Sequence, residues 1–138
     1  MTGNLRRFKI AERFERGATV LAVTGDLDAA NAPALRSHLD GDGSTARPVV
    51  IDLSDCDFID SAGIALIVEA CRNRIRADRK NGARGCVSLA LAAPSGQVDR
   101  IIRITGLQDG MSVCGEIEHA LAAVTPQEIS AQDKPTPA

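Results

Sequence analysis

The segment from Pro48 to Leu66, PVVIDLSDCDFIDSAGIAL, constrains this chain more than any other. It opens as a continuous apolar run, Val49-Val50-Ile51, which suits a strand buried on both faces inside a parallel sheet. It then turns polar and places a small hydroxyl residue, Ser61, where a helical pattern begins. From there Ile64, Ile67, Val68, Cys71 and Ile75 recur at helical spacing and mark a buried stripe. Glu69, Arg72, Asn73, Arg76 and Arg79 fall on the other faces. A buried strand that feeds a long helix points to an α/β layer fold.

The rest of the chain fits that expectation. Residues 7–14 form a first strand with Phe8, Ile10 and Phe14 on one side, and Arg16-Gly17 supplies a tight turn. Residues 18–24 form a second strand, which Gly25-Asp26-Leu27-Asp28 leaves. Asn31-Ala32-Pro33 opens a helix to about Leu39, because proline is tolerated in a first helical turn. Gly41 to Ser44 is a flexible loop. The third strand is 48–53, and the longest helix runs over 61–79 and stops at Asn81-Gly82. A fourth strand at 86–92, a helix at 95–104, a short strand near 111–114 and a helix at 115–124 complete the order ββαβαβαβα. The domain spans 1–124. The tail 125–138, with Pro126, Pro135 and Pro137 and few apolar residues, is expected to be disordered.

Composition narrows the function. The net charge of −2 argues against a nucleic-acid binder. The only aromatic residues are three phenylalanines, so the chain lacks the usual platforms for stacking bases or sugars. No apolar run approaches the roughly 20 residues that span a bilayer, and the first ten residues do not resemble a secretory signal. These features suggest a cytoplasmic protein without direct membrane insertion. Cys56, Cys71, Cys86 and Cys114 form no CxxC pair, and His38 and His119 complete no zinc-ligand spacing with them. No metal or cofactor is expected, and the thiols read as reduced, partly core residues. Six basic residues between Arg72 and Arg84 read as a solvated helix face, with a docking patch as the alternative.

Ser61 admits three readings. It, or Asp60 before it, can cap the long helix. It can be a nucleophile, since IDSAG approaches the G-x-S-x-G elbow. However, Ile59 replaces the first glycine, and His119 is the only histidine downstream to act as base. It can also accept a phosphate at a helix start, where backbone N–H groups favour anions. Asp57 and Asp60 adjoin it, and Asp26 and Asp28 lie at the same sheet edge if the strands are adjacent and parallel. A phosphate there would change the local potential strongly.

IDLS followed by DFIDSAGIAL, together with Thr24-Gly25-Asp26-Leu27-Asp28 upstream, resembles the signature of STAS domains, and in particular of bacterial anti-sigma factor antagonists. The resemblance covers about residues 6–124. It implies a mixed β-sheet with about four helices packed on it and no catalysis. It further implies phosphorylation at Ser61 by an anti-sigma factor with serine kinase activity, which holds the ATP. The unphosphorylated form would bind that factor and free a sigma factor for transcription, and a separate phosphatase would restore it. Asp26, Asp28, Asp57, Asp60, Ser61, Ala62 and Gly63 would then form the partner-binding surface. The chain departs from the common D-S-S-G-L-G pattern. Ala62 removes a second hydroxyl, and Ala65 replaces a glycine on which a partner can pack closely. The alternative is a STAS subunit of a membrane-associated lipid-transport or other assembly, acting by binding without phosphorylation.

Overall fold

The computed structural model describes residues 7–40, 47–80, 82 and 85–125. The loop expected at 41–44, Asn81 of the helix stop and the tail beyond Thr125 lie outside the described residues. Strands β1 (Lys9–Glu15), β2 (Ala18–Leu27), β3 (Val49–Ile59), β4 (Leu89–Ala92) and β5 (Ser112–Cys114) form one sheet in the order β1-β2-β3-β4-β5. The helices are α1 (Ala32–Asp40), α2 (Ser61–Lys80), α3 (Gly96–Thr105) and α4 (Ile117–Val124), with a short 3-10 turn at Leu107–Asp109. β1 runs antiparallel to β2 through the hairpin at Arg16-Gly17. Both turn residues have positive φ (54° and 81°), as a turn matching the strand twist requires. The other neighbours are parallel. The expected element order and mixed-sheet class are therefore present.

Side-chain alternation along the central strands builds two apolar layers. Leu21, Ile51, Leu89 and Leu91 face one way, toward Leu35 of α1, Ile67 of α2 and Ile102 of α3. Val20, Val50, Ala90 and Ala92 face the other way, toward Ala120, Leu121 and Val124 of α4. The small side chains on the second face let α4 approach the sheet closely. Three helices thus cover one face and one covers the other.

Several expectations need correction. β3 does not end at residue 53; it continues to Ile59, and β2 continues to Leu27. Irregular register allows this. Ala22 pairs with Asp52 but Thr24 with Asp55, and Gly25 pairs with Cys56 but Asp26 with Phe58. Each step leaves an extra residue in β3, the signature of a bulge. Burial accordingly changes from continuous to every third residue, at Leu53, Cys56 and Ile59. β4 starts at Leu89, not 86. In α2 the fully packed stripe is Gly63, Leu66, Ile67, Ala70, Cys71, Arg74 and Asp78. Ile64, Val68 and Ile75 only flank it, and Arg74 and Asp78 take the inward positions of its last turns. Phe14 is 62% exposed rather than packed, with the Arg47 guanidinium over its ring at 4.7 Å.

Arg74 does not belong to a solvated basic face. It is buried, and its Nη1 donates to the Arg47 carbonyl at 2.8 Å. Asp78, also buried, accepts from the backbone N–H groups of Val87 and Ser88 at 3.0 and 3.1 Å, and from the Ser88 hydroxyl at 2.8 Å. Together they tie the end of α2 to the segments leading into β3 and β4. Arg72, Arg76, Arg79 and Lys80 are exposed.

Candidate functional site

The site forms where β2 and β3 outrun β4. β4 pairs with β3 only as far as Asp52, opposite Ala92, so the last residues of β3 have no strand neighbour on that side. The Gln97 side chain of α3 fills the gap. Its Oε1 accepts from the Ile59 N–H at 3.0 Å, and its Nε2 donates to the Ile59 carbonyl at 2.9 Å. One amide therefore does what a neighbouring strand would do, and it satisfies two backbone groups that are costly to bury unpaired. Ile59 itself is fully buried. Sequence reasoning missed Gln97, because nothing local marks a glutamine that acts 38 residues away.

From this anchored point the chain turns into α2. Asp60 is the cap: its Oδ1 accepts from the N–H groups of Ala62 at 2.9 Å and Gly63 at 3.1 Å. Its carbonyl accepts the first helical bond, from Ile64, at 3.0 Å. These are the partners an N-cap residue takes. The capping reading therefore belongs to Asp60, and Ser61 is the first residue of the helix, exposed and outside both cap bonds. Asp60 is half-buried, with one carboxylate oxygen turned onto the helix amides, so it is less of a free surface charge than its position suggests.

Gly63 explains why the motif needs a glycine inside a helix. A Cβ there would lie 2.5 Å from the Leu27 carbonyl oxygen and 2.7 Å from Cγ1 of Ile59. The requirement is close approach, and it outweighs the roughly 1 kcal/mol by which glycine disfavours a helix. The same contact brings the end of β2 against the start of α2, where the Asp60 N–H also reaches the Leu27 carbonyl at 3.3 Å.

Asp26 and Asp28 flank Leu27 and so border the Ser61 turn. Asn31, expected only as a helix start, organises them. Its Nδ2 donates to the Asp26 carbonyl at 2.9 Å, and its N–H donates to Oδ1 of Asp28 at 3.1 Å. Asp57 is exposed within the second bulge of β3, which re-aims it. Partial burial, and then the carboxylates of Asp28 and Asp57, push the Asp26 carboxyl above its ordinary value. Asp26, Asp28 and Asp57 thus share one electrostatic neighbourhood. All seven expected site residues gather at this one edge of the sheet.

A groove of about 440 Å³ opens beside Ser61, between the start of α2 and α3. Phe58, Ile64, Ala65 and Ile101 form much of its wall. The histidines lie elsewhere. His38 on α1 meets Glu12 at 3.0 Å, and His119 is exposed on α4, across the sheet from α2. Cys56, Cys71 and Cys86 are buried free thiols and Cys114 is partly buried. Burial pushes Cys56 up to about 11 and Cys86 up to about 12, which keeps both protonated and inert. Among the described residues there is no cluster of three or more His, Cys, Asp or Glu side chains placed to hold a metal ion. No helix among them is long and apolar enough to cross a membrane.

Comparison with known proteins places these features in a family. The chain is 36% identical over 58 residues to osmosensory protein A of Mycobacterium tuberculosis, a match covering 40% of this chain and 37% of that protein. The aligned part is therefore well under half of that relative's length. In fold it is similar to an anti-sigma factor antagonist from Mycobacterium paratuberculosis, with a TM-score of 0.69 and 24% identity over 86% of this chain and 94% of that one. It is also similar to an anti-sigma-factor antagonist (STAS) domain protein from Planctomyces limnophilus, with a TM-score of 0.67 and 22% identity over 83% of this chain and 97% of that one. At these identities the likeness is one of fold. The sequence model of the STAS domain matches residues 9–120, which contain every element from β1 to the first half of α4, and on that match the chain belongs to the STAS domain family.

Proposed function

We propose that this chain is an anti-sigma factor antagonist that binds an anti-sigma factor with serine kinase activity and is released when Ser61 is phosphorylated. The observation that carries the reading is the division of labour at the start of α2. Asp60 makes the cap, so Ser61 is exposed and its hydroxyl is not needed to hold the helix. A modification there changes the surface without undoing the fold. In the transfer, the Ser61 Oγ forms a bond to the γ-phosphorus of ATP held by the kinase. The bond to the β-phosphate oxygen breaks, ADP leaves, and a base on the kinase takes the hydroxyl proton. The product carries about −1.5 to −2 charges beside Asp26, Asp28 and Asp57. A separate phosphatase would return the chain to its binding form, and the outcome would be control of sigma-factor-dependent transcription.

The test is phosphotransfer. Purified chain is incubated with each histidine-kinase-like anti-sigma factor of the same genome and Mg-ATP, and its intact mass is followed. One added phosphate is expected, and none in Ser61→Ala. Ser88 is a poor competitor because its hydroxyl is held by Asp78. Ser54 is exposed and is the informative one. Phosphate on Ser54 with Ser61 unmodified would overturn the assignment. Purified chain alone should show no esterase or nucleotidase turnover, and turnover lost specifically in Ser61→Ala would replace the binding role with an enzymatic one.

A further inference from the structure

The groove beside Ser61 has a chemistry that the phosphoacceptor role does not use. Its wall is apolar, from Phe58, Ile64, Ala65 and Ile101. Phe58 is 40% exposed, and Ile104 nearby on α3 is 72% exposed. The polar side chains along it are largely spent inside the protein. The Gln97 amide is closed on Ile59 at both ends, the Thr105 hydroxyl donates to the Ile102 carbonyl at 2.8 Å, and Oδ1 of Asp60 serves the helix cap. Ser61, which is exposed, and the half-buried Asp60 before it complete the lining on that side.

We infer that this groove takes an uncharged apolar side chain (leucine, isoleucine, methionine or phenylalanine) presented by the protein partner, and that Ser61 sits at its rim as the gate. This builds on the function proposed above by naming what the partner inserts. Charge and hydration together narrow the class of occupant. A fatty acid or a nucleotide would bring an anion to a groove that already carries the Asp60 carboxylate, where like charges disfavour binding. A polar or cationic side chain would give up hydration against a wall whose Gln97 amide and Thr105 hydroxyl are already engaged, with only Ser61 and the second Asp60 oxygen to receive it. A bulky apolar side chain loses nothing there and gains by leaving water. The groove is continuous with Ser61, so the same partner segment that offers the anchor is the one that meets the hydroxyl. A phosphate on Ser61 would place a hydrated dianion across the mouth. An entering apolar side chain would have to strip that hydration, so phosphorylation and anchor binding would exclude each other.

Methyl NMR of the full chain tests the groove without a partner. The probe is N-acetyl-leucine methylamide at millimolar concentration. The Ile64 and Ile101 methyls are expected to shift, while Ile10 and Ile117, far from the groove, stay fixed and report an intact fold. The N-acetyl-glutamine analogue and free N-acetyl-leucine, with its carboxylate, should leave Ile64 and Ile101 unmoved. Ala65→Trp, at an exposed position on the groove wall, should abolish the shifts, and Ala65→Glu should do so independently. Equal shifts from the glutamine or carboxylate probe, or shifts that survive both variants, would overturn the inference. With the kinase that modifies Ser61, Ala65→Trp should bind roughly tenfold more weakly or worse, whereas Arg76→Ala at the far end of α2 should bind as the parent does. Unchanged binding by Ala65→Trp would also overturn it. If no kinase modifies Ser61 but the leucine probe behaves as expected, the phosphorylation switch falls and the apolar groove stands.

Discussion

The two ends of α2 depart from their sequence appearance in opposite directions. At the C-terminal end Arg74 and Asp78 look like members of a charged surface, yet both are buried and hydrogen-bonded to the segments that feed β3 and β4. At the N-terminal end Ser61 and Ala65 lie in a motif with the look of a packed turn, yet they face solvent. The difference lies in what each end must hold. The C-terminal end closes backbone groups of two incoming segments, so its polar side chains turn inward. The N-terminal end is already held by the Gln97 clamp, the Asp60 cap and the contact of Gly63 with Leu27. Its outward side chains are therefore free for another purpose.

The sharpest way to break this contrast is at Asp78. Asp78→Ala removes the acceptor for the N–H groups of Val87 and Ser88 and for the Ser88 hydroxyl. The expected loss is about 3 kcal/mol, since hydrogen bonds to a charged acceptor contribute about 1.5–3 kcal/mol each and solvent recovers part of that. Burial already pushes the Arg74 pKa down while Asp78 opposes that shift, so the two are electrostatically linked. Urea unfolding measures the loss. A loss below about 1 kcal/mol, the scale of an exposed pair, would mean the C-terminal end is no more structural than the N-terminal one.

Gly63→Ala is next. The added methyl meets a backbone oxygen and a buried isoleucine, and neither can swing away. Overpacking of this kind costs about 1–3 kcal/mol, partly offset by the roughly 1 kcal/mol by which alanine favours a helix. A lower Tm is expected, and a neutral or raised Tm would show that α2 can slide off β2 at little cost. Gln97→Ala leaves the N–H and carbonyl of Ile59 without their partner and should cost about 1–2 kcal/mol. Faster hydrogen exchange should appear at Ile59. Exchange that stays slow would show that another group has closed the strand. Asp60→Ala removes the cap and should cost about 1 kcal/mol, most of it restored in Asp60→Asn. Equal stability of the two variants would deny Asp60 the capping role.

The order of strands and helices was legible because the long apolar runs and the helical stripe of α2 have clear periods. The Ser61 turn was legible as a motif. What escaped was set by register and distance. The two bulges convert Leu53, Cys56 and Ile59 into an every-third-residue pattern that resembles neither strand nor helix, so the polar half of β3 read as a loop. The roles of Arg74 and Asp78 depend on Ser88 and Arg47, and that of Gln97 on Ile59, across separations no local pattern encodes. Asp60 and Ser61 are adjacent residues of similar capping propensity, and only the hydrogen bonds assign the cap to one of them.

Ser61→Asp should disturb the fold least and recognition most. A carboxylate at the first position of a helix lies near the positive end of the dipole, which favours an anion by about 0.3–1 kcal/mol. Repulsion from Asp26, Asp28 and Asp57 acts the other way through solvent, so the net change in stability should stay within about 1 kcal/mol. Binding is different, because a partner excludes that solvent. On the proposed function, the added charge must then give up hydration beside an apolar groove and face the nucleotide phosphates that the kinase would hold. A tenfold loss needs only about 1.4 kcal/mol, well within what a desolvated like charge supplies. Ser61→Ala removes a hydroxyl outside the cap and should bind as the parent does. Calorimetric titration against the kinase, with circular dichroism on each variant, separates the outcomes. Matching affinities for the alanine and aspartate forms would leave the N-terminal end as inert as any solvated helix start. Weaker binding that tracks a lowered Tm would make it a second structural end, like the one at Asp78, and the contrast between the two ends of α2 would disappear.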